Sequence, residues 1–146
     1  MRVRDVMTTP ATTVTEETSI GTASRLMGAE QLTSIVVVDD SRALVGTVEL
    51  SDLLTHEAEQ GAEQGVAPAH RVGEVRVRRT ACVRCDDEVA VPIDLIRSTT
   101  AALLPVVDKD RVVGTLSRDD LLDLLADRDV RADLLAGSAC GSAYRG

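Results

Sequence analysis

A hydroxyl and a carboxylate three residues apart, Ser117 and Asp120, offer the clearest binding chemistry in the sequence. They stand between an apolar run and a leucine-rich stretch, which predicts a helix that starts near Ser117 and is capped by its side chain. The free N–H groups of a helix N-terminus attract phosphate, and an adjacent carboxylate can accept hydrogen bonds from ribose hydroxyls. A capped helix start is expected whether or not a ligand binds there.

A weaker version of the same pattern occurs earlier, at Glu49 and Asp52. Here a carboxylate replaces the hydroxyl, and it would repel a bound phosphate. We therefore rank a site at Asp120 above a site at Asp52.

Cys82 and Cys85 form an isolated C-x-x-C pair, next to acidic residues that disfavour the thiolate. A zinc site would need further ligands, for which the sequence offers His56, His70 and Cys140. We expect no metal site. No nucleophile is tied by spacing to a histidine, and neither a P-loop nor a G-x-G-x-x-G is present, so we expect no enzymatic activity.

These patterns recur because the chain contains an internal repeat. Residues 3–39 align with residues 72–108 without a gap, at an offset of 69 residues. One residue is then lost in a turn, and Gly46-Thr47-Val48 aligns with Gly114-Thr115-Leu116 at an offset of 68. A repeat of this length indicates two copies of one supersecondary unit, with a shared cleft as a natural ligand site.

Each copy predicts the order strand–helix–strand–strand–helix. An extended segment, 7–14 or 76–83, comes first, and the first helix follows, capped by Thr18 or Ser19 in one copy and by Asp87 in the other. Pro92 should make the start of the second copy's helix irregular. Apolar runs at 35–38 and 104–107 predict buried strands that form hairpins with their return strands. The final helix of each copy should begin near Ser51 or Ser117.

The predicted organisation is one repeat at 1–56, a polar linker at 57–70, a second repeat at 71–127 and an extension at 128–146. The fold class is α+β, with two β-α-β-β-α repeats packed in pseudo-two-fold symmetry. Hydrophobic residues make up 44% of the 146 residues, which suffices for the core of one compact domain.

Composition argues against several function classes. Tyr144 is the only aromatic side chain of the Phe, Trp and Tyr types and the net charge is −8, so we expect no nucleic-acid binding. No run of about 18 apolar residues predicts a membrane span. The first repeat begins too early for a signal peptide, and three unevenly spaced cysteines indicate a reducing cytoplasm.

The duplicated unit, with its Pro105-Val106-Val107-Asp108 strand and its Gly114-Thr115-Leu116-Ser117 return, closely resembles the cystathionine-β-synthase (CBS) domain. Two in tandem resemble a Bateman module, and the resemblance runs from Val3 to about Ala126. It implies a regulatory module that binds an adenosine-containing ligand such as AMP, ATP or S-adenosylmethionine.

The resemblance also implies site residues. The stronger site would comprise Ser117, Asp119, Asp120, Ala101, Ala102, Leu103, Leu104, Pro105, Arg76, Arg79 and Ala81. The weaker site would comprise Glu49, Ser51, Asp52, Thr33, Ser34, Ile35, Val36, Met7, Pro10 and Thr12. Related nucleotide-binding domains often carry a basic residue shortly before the strand's proline, whereas this chain has Ala102 and Leu103 there.

We therefore expect a stand-alone sensing module, without a cofactor, that signals to an unknown effector protein in trans. The leucines from Leu121 to Leu125, extended by Leu134 and Leu135, predict a homodimer, and the resemblance implies a disc of four repeats. The alternative is a dimeric interaction protein with vestigial ligand sites.

Overall fold

The computed structural model describes residues 1–61 and 70–126, which divide into two compact units. The Asp52 unit comprises Thr12–Thr80 together with Asp110–Val112. The Asp120 unit comprises Met1–Ala11, Ala81–Lys109 and the described residues from Val113 onward.

The Asp52 unit contains a three-stranded sheet in the order β1-β2-β3. Its elements are β1 (Thr13–Val14), α1 (Ile20–Glu30), β2 (Ser34–Val38), β3 (Leu44–Glu49) and α2 (Leu50–Gly61). Strand β1 pairs in parallel with β2, which requires the crossover that α1 supplies, and β2 pairs antiparallel with β3. The four residues of the apolar run at 35–38 are buried, as that run predicts, and Ser34 at the start of β2 is buried with them.

The Asp120 unit repeats this arrangement, with a sheet in the order β4-β5-β6. Its elements are β4 (Val83–Arg84), α3 (Ala90–Ser98), β5 (Leu103–Asp108), β6 (Arg111–Ser117) and α4 (Arg118–Ala126), although the first two residues of β6 belong to the Asp52 unit. The structure confirms the α+β class and the β-α-β-β-α order of each copy. In each extended segment, only two residues form a regular strand.

The two first helices begin differently. Ser19 caps α1, because its side chain accepts a hydrogen bond from the Thr22 N–H at 3.1 Å. The prediction that Asp87 caps α3 was wrong, since its carboxylate instead accepts from the Arg84 N–H at 2.8 Å and closes the preceding turn. Pro92 is accommodated at the third residue of α3, where a missing N–H leaves no helical hydrogen bond unmade.

The start of each repeat packs in the core of the other repeat's unit. Val3 is fully buried in the cluster of the Asp120 unit, with Leu104 and Leu121. Val72 and Val75 are buried in the cluster of the Asp52 unit. The compact units therefore divide near Ala11 and Thr80, away from the repeat boundaries expected at 1–56 and 71–127.

No helix within residues 1–61 and 70–126 has the length and apolar character that crossing a bilayer demands.

Candidate functional site

In the Asp52 unit, the extended segment of the second repeat pairs with the return strand of the first. The Thr47 N–H donates to the Arg78 carbonyl at 2.9 Å, and the Arg78 N–H donates to the Thr47 carbonyl at 2.8 Å. Gly46 permits this approach, because a Cβ at that position would lie 2.4 Å from the Arg78 carbonyl oxygen.

The Asp120 unit makes the reciprocal contact. Thr8 and Thr115 exchange two backbone hydrogen bonds, at 2.9 and 3.1 Å. A Cβ on Gly114 would lie 2.8 Å from the Met7 Sδ and 2.9 Å from the Thr8 carbonyl oxygen. Met7 thus lies beside the return strand that leads to Ser117, and Arg78 lies beside the one that leads to Asp52.

Both final helices begin against the segment that precedes the buried strand. The Leu50 N–H donates to the Thr33 carbonyl at 2.9 Å, and the Arg118 N–H donates to the Ala102 carbonyl at 2.9 Å. Ser117 caps α4 as predicted, because its Oγ accepts from the Asp120 N–H at 3.0 Å. The residue before α2 is Glu49, which has no hydroxyl to offer.

Arg118 is a cation at the stronger site that the sequence analysis did not single out. Its side chain is half-buried and donates to the Thr99 carbonyl at 2.6 Å and to the Ala101 carbonyl at 3.2 Å. These bonds hold the segment before β5 against the start of α4. Arg118 thus supplies a positive charge next to Ser117. The basic residue that related domains carry near the position of Ala102 is missing from this sequence.

Asp52 is already engaged by a guanidinium. Arg78 donates from Nε to one carboxylate oxygen at 3.0 Å and from a terminal nitrogen to the other at 3.4 Å. These hydrogen bonds, together with the charges of Asp52 and Glu49, raise the pKa of Arg78. Arg78 lay outside the predicted site, although its neighbours Arg76 and Arg79 were included.

Asp120 differs, since no hydrogen bond or ion pair reaches its carboxylate within residues 1–61 and 70–126. Thr8, which pairs with Thr115 as Arg78 pairs with Thr47, carries a short neutral side chain. The Asp120 carboxylate is exposed and therefore accessible to a ligand.

The remaining predicted site residues differ in how far they are exposed. In the Asp120 unit, Leu103, Leu104 and Pro105 are buried, Ala101, Ala102 and Ala81 are half-buried, and Asp119 and Pro10 are exposed. In the Asp52 unit, Ser34, Ile35 and Val36 are buried, Glu49 is half-buried, and Thr33, Ser51, Arg76 and Arg79 are exposed. The Thr12 hydroxyl donates a hydrogen bond to one oxygen of the Glu30 carboxylate, at an oxygen–oxygen distance of 2.7 Å. The expected grouping of Arg76 and Arg79 with Asp120 joins residues of different units and stays a prediction.

The cysteines lie in unlike surroundings. Cys85 is buried in the core of the Asp120 unit, whereas Cys82 is exposed. Desolvation by neighbouring atoms, supported by the charge of Asp87 and opposed by Arg84, raises the pKa of the Cys82 thiol. A raised pKa makes this thiol a poor nucleophile and metal ligand at neutral pH.

Comparisons with known proteins agree with this architecture. The chain is 26% identical over 144 residues to an inosine-5'-monophosphate dehydrogenase of Methanocaldococcus jannaschii, covering 95% of this chain but 26% of the dehydrogenase. It is 27% identical over 132 residues to a CBS domain-containing protein of Dictyostelium discoideum, covering 84% of this chain and 90% of that protein. The chain thus spans about a quarter of the length of the dehydrogenase it matches.

Among solved structures, the chain is similar to CBSX2, a CBS-pair protein of Arabidopsis thaliana. The crystal structure of CBSX2 in complex with AMP matches with a TM-score of 0.68 and 27% identity, over 86% of this chain and 96% of that chain. The family model for the CBS domain matches twice, at residues 3–59 and 72–127. The chain therefore belongs to the CBS-domain family and carries two CBS domains in tandem.

Proposed function

We propose that this protein is a regulatory module that binds an adenosine-containing ligand of the AMP, ATP or S-adenosylmethionine class, and that signals its occupancy to a separate protein. The stronger site lies at the start of α4. The module has no catalytic role and acts in the cytoplasm.

One observation carries this proposal. Ser117 caps α4 with Asp120 on its first turn, and the Asp120 carboxylate is exposed with no ion-pair partner in the described ranges. A helix start offers N–H groups and a partial positive charge to a phosphate, and Arg118 adds a full charge beside them. The carboxylate can accept hydrogen bonds from ribose hydroxyls. AMP binding by CBSX2, a family member at 27% identity, supports the ligand class.

A thermal-shift panel with AMP, ADP, ATP, S-adenosylmethionine and NAD tests the ligand class. A ligand at one hundred times its dissociation constant stabilises the folded protein by about 2.7 kcal/mol. We expect at least one adenosine compound to raise the melting temperature, and guanosine monophosphate to serve as the base control. No shift with any adenosine compound at millimolar concentration would contradict the proposal.

The alternative is an interaction protein, and one observation favours it. Leu54 on α2 and Leu122 on α4 occupy equivalent positions in the two repeats, and their exposed fractions are 56% and 51%. Contiguous exposed apolar patches mark protein interfaces, and each of these leucines is a candidate for the centre of such a patch on its helix. We propose that these helix faces form a homodimer in either case, whether or not the pairs stack as a disc.

Light scattering of the purified chain and of a Leu54→Lys/Leu122→Lys double variant tests this interface. We expect the dimer mass for the natural chain and the monomer mass for the variant, which leaves both cores intact. Leu134 and Leu135 lie outside the described residues, so their part in the interface stays a prediction. A monomer at micromolar concentration would contradict the homodimer.

A further inference from the structure

Two histidines and a glutamate converge on one point of the Asp52 unit. His56 lies on α2, and His70 lies just before the 3-10 turn Val72–Glu74. The imidazole centroids are 5.0 Å apart with the rings nearly perpendicular, and the His70 Nδ1 lies 3.3 Å from a Glu74 carboxylate oxygen. One potential ligand atom from each residue lies within 4.8 Å of the other two.

Packing alone leaves this cluster with an unsatisfied group. The His56 Nε2 is buried and has no hydrogen-bond partner among residues 1–61 and 70–126. A buried imidazole nitrogen ordinarily bonds to a donor, an acceptor or a metal ion, because leaving it unpaired is unfavourable. His70 and Glu74 each place a potential ligand atom within 4.8 Å of a His56 ring nitrogen, which favours a metal ion as the missing partner.

The ligand set selects the class of metal. Two imidazoles and one carboxylate suit zinc and similar transition metals, whereas magnesium and calcium prefer oxygen ligands throughout. A metal–ligand length of about 2.1 Å in a tetrahedral site places ligand atoms roughly 3.4 Å apart. The present separations of up to 4.8 Å exceed this spacing by at most about 1.4 Å, so a bound ion would draw the three side chains closer together.

The backbone around the cluster holds the ligands in place. The second Glu74 oxygen accepts from the Arg71 N–H at 2.7 Å, which orients the first oxygen towards His70. The His70 carbonyl accepts from the Ile20 N–H at 2.9 Å. Leu53, one turn before His56 on α2, is fully buried in the core of the unit.

We propose that His56, His70 and Glu74 bind one divalent transition-metal ion of the zinc class, with the fourth position open to water. The ion fastens α2 to the segment that starts the second repeat, and this segment continues to Arg78. The role is structural and does not depend on the adenosine ligand. From the sequence we expected no metal site, because that judgement considered a site built around the cysteines. The convergence of His56, His70 and Glu74 is visible only in the folded structure.

Titration of the metal-stripped, full-length protein with zinc chloride, followed by calorimetry and by melting temperature, tests the proposal. We expect one equivalent to bind and the melting temperature to rise. Cobalt(II) should give the visible absorption of a four-coordinate site. His56→Gln and Glu74→Gln should each weaken zinc affinity by at least tenfold. Glu74 is half exposed, so its variant keeps the fold even where a histidine variant loses stability.

Cys82→Ser is the matched control, because it removes the exposed member of the C-x-x-C pair and lies outside the cluster. Zinc affinity should be unchanged in this variant. Failure of zinc to bind, binding that persists at full strength in both His56→Gln and Glu74→Gln, or loss of binding in Cys82→Ser would overturn the proposal.

Discussion

The two repeats build the same local arrangement but leave its central carboxylate in opposite states. Asp52 is held by Arg78 with a nitrogen–oxygen distance of 3.0 Å, whereas the segment that pairs with the return strand before Asp120 supplies the uncharged Thr8 at the equivalent position. Ser117 caps its helix, and Glu49 does not. One repeat thus satisfies its carboxylate internally, while the other leaves it accessible to a ligand.

A repeat of the sequence does not coincide with one compact unit of the structure. Each return strand receives the extended segment of the other repeat, at Gly46 and Gly114. The residue that distinguishes the two sites, Arg78, is therefore contributed by the second repeat to the first repeat's carboxylate. A change in the extended segment of one copy should alter the site of the other copy.

The largest expected effect comes from cutting the chain in two ways. Residues 1–62 hold the first repeat but lack Val72 and Val75, which are buried in its core. Residues 12–80 contain every member of that core cluster. We expect fragment 12–80 to unfold cooperatively in urea and fragment 1–62 to be unfolded or aggregated, as measured by circular dichroism.

Both fragments include β1, α1, β2, β3 and α2 in full, so a difference in their stability comes from the segments that only one of them contains. Cooperative folding of 1–62 together with failure of 12–80 would show that the exchanged segments contribute little.

The next effect compares the two glycines. Gly46→Ala would place a Cβ 2.4 Å from the Arg78 carbonyl oxygen, whereas a Cβ on Gly114 would lie 2.9 Å from the Thr8 carbonyl oxygen and 2.8 Å from the flexible Met7 Sδ. Overpacking of this kind costs about 1–3 kcal/mol, and we expect the larger loss at Gly46. Urea denaturation measures both.

Gly28→Ala is the control, because its Cβ would meet nothing within 4 Å on α1. It should stabilise the protein by about 0.5–1 kcal/mol through the helix preference of alanine. Equal losses at Gly46 and Gly114 would mean that the two close approaches are energetically alike.

The smallest effect concerns the two hairpin turns. The Asp39 carboxylate accepts hydrogen bonds from the Ser41 hydroxyl and from the backbone N–H groups of Ser41 and Ala43, and these bonds lower the pKa of Asp39. The second turn instead uses Lys109 and Asp110, both with positive φ, in a two-residue turn.

Because the folded-state pKa of Asp39 is lowered, its stabilisation is present above the unfolded value of about 3.9 and is lost as pH falls through the folded value. Asp39→Asn should therefore lower the melting temperature at pH 7 and have less effect near pH 3. Asp108→Asn is the control at the equivalent position. A pH-independent difference would show that the turn bonds do not favour the charged form.

The sequence predicted the element order, the capped start at Ser117 and the burial of β2, because these follow from local periodicity and capping chemistry. It could not predict which copy each extended segment packs against, since an internal alignment gives equivalence and not contact. Glycine within both return strands was the available signal, because it marks close backbone approach. The contacts of Arg78 with Asp52 and of Arg118 with the Thr99 carbonyl were missed because the partners are distant in sequence.

Asp87 shows a different limit of sequence interpretation. An acidic residue before an apolar helix is a good capping candidate, but acidic residues also favour tight turns. Here the Asp87 carboxylate accepts a hydrogen bond from the Arg84 N–H and closes a turn instead of capping the helix. The helix then begins later, at Ala90, with Pro92 in its first turn.

The ranking of the two carboxylates is tested by calorimetric titration of three proteins, the natural chain, Asp120→Ala and Asp52→Ala, with the adenosine compound that gives the largest thermal shift. Removal of the Asp120 carboxylate eliminates charged hydrogen bonds worth about 1.5–3 kcal/mol. At about 1.4 kcal/mol per tenfold, we expect affinity to fall roughly ten- to a hundredfold, with a milder loss for Asp52→Ala, whose carboxylate Arg78 already occupies. Equal losses in the two variants, or a larger loss at Asp52, would contradict the account.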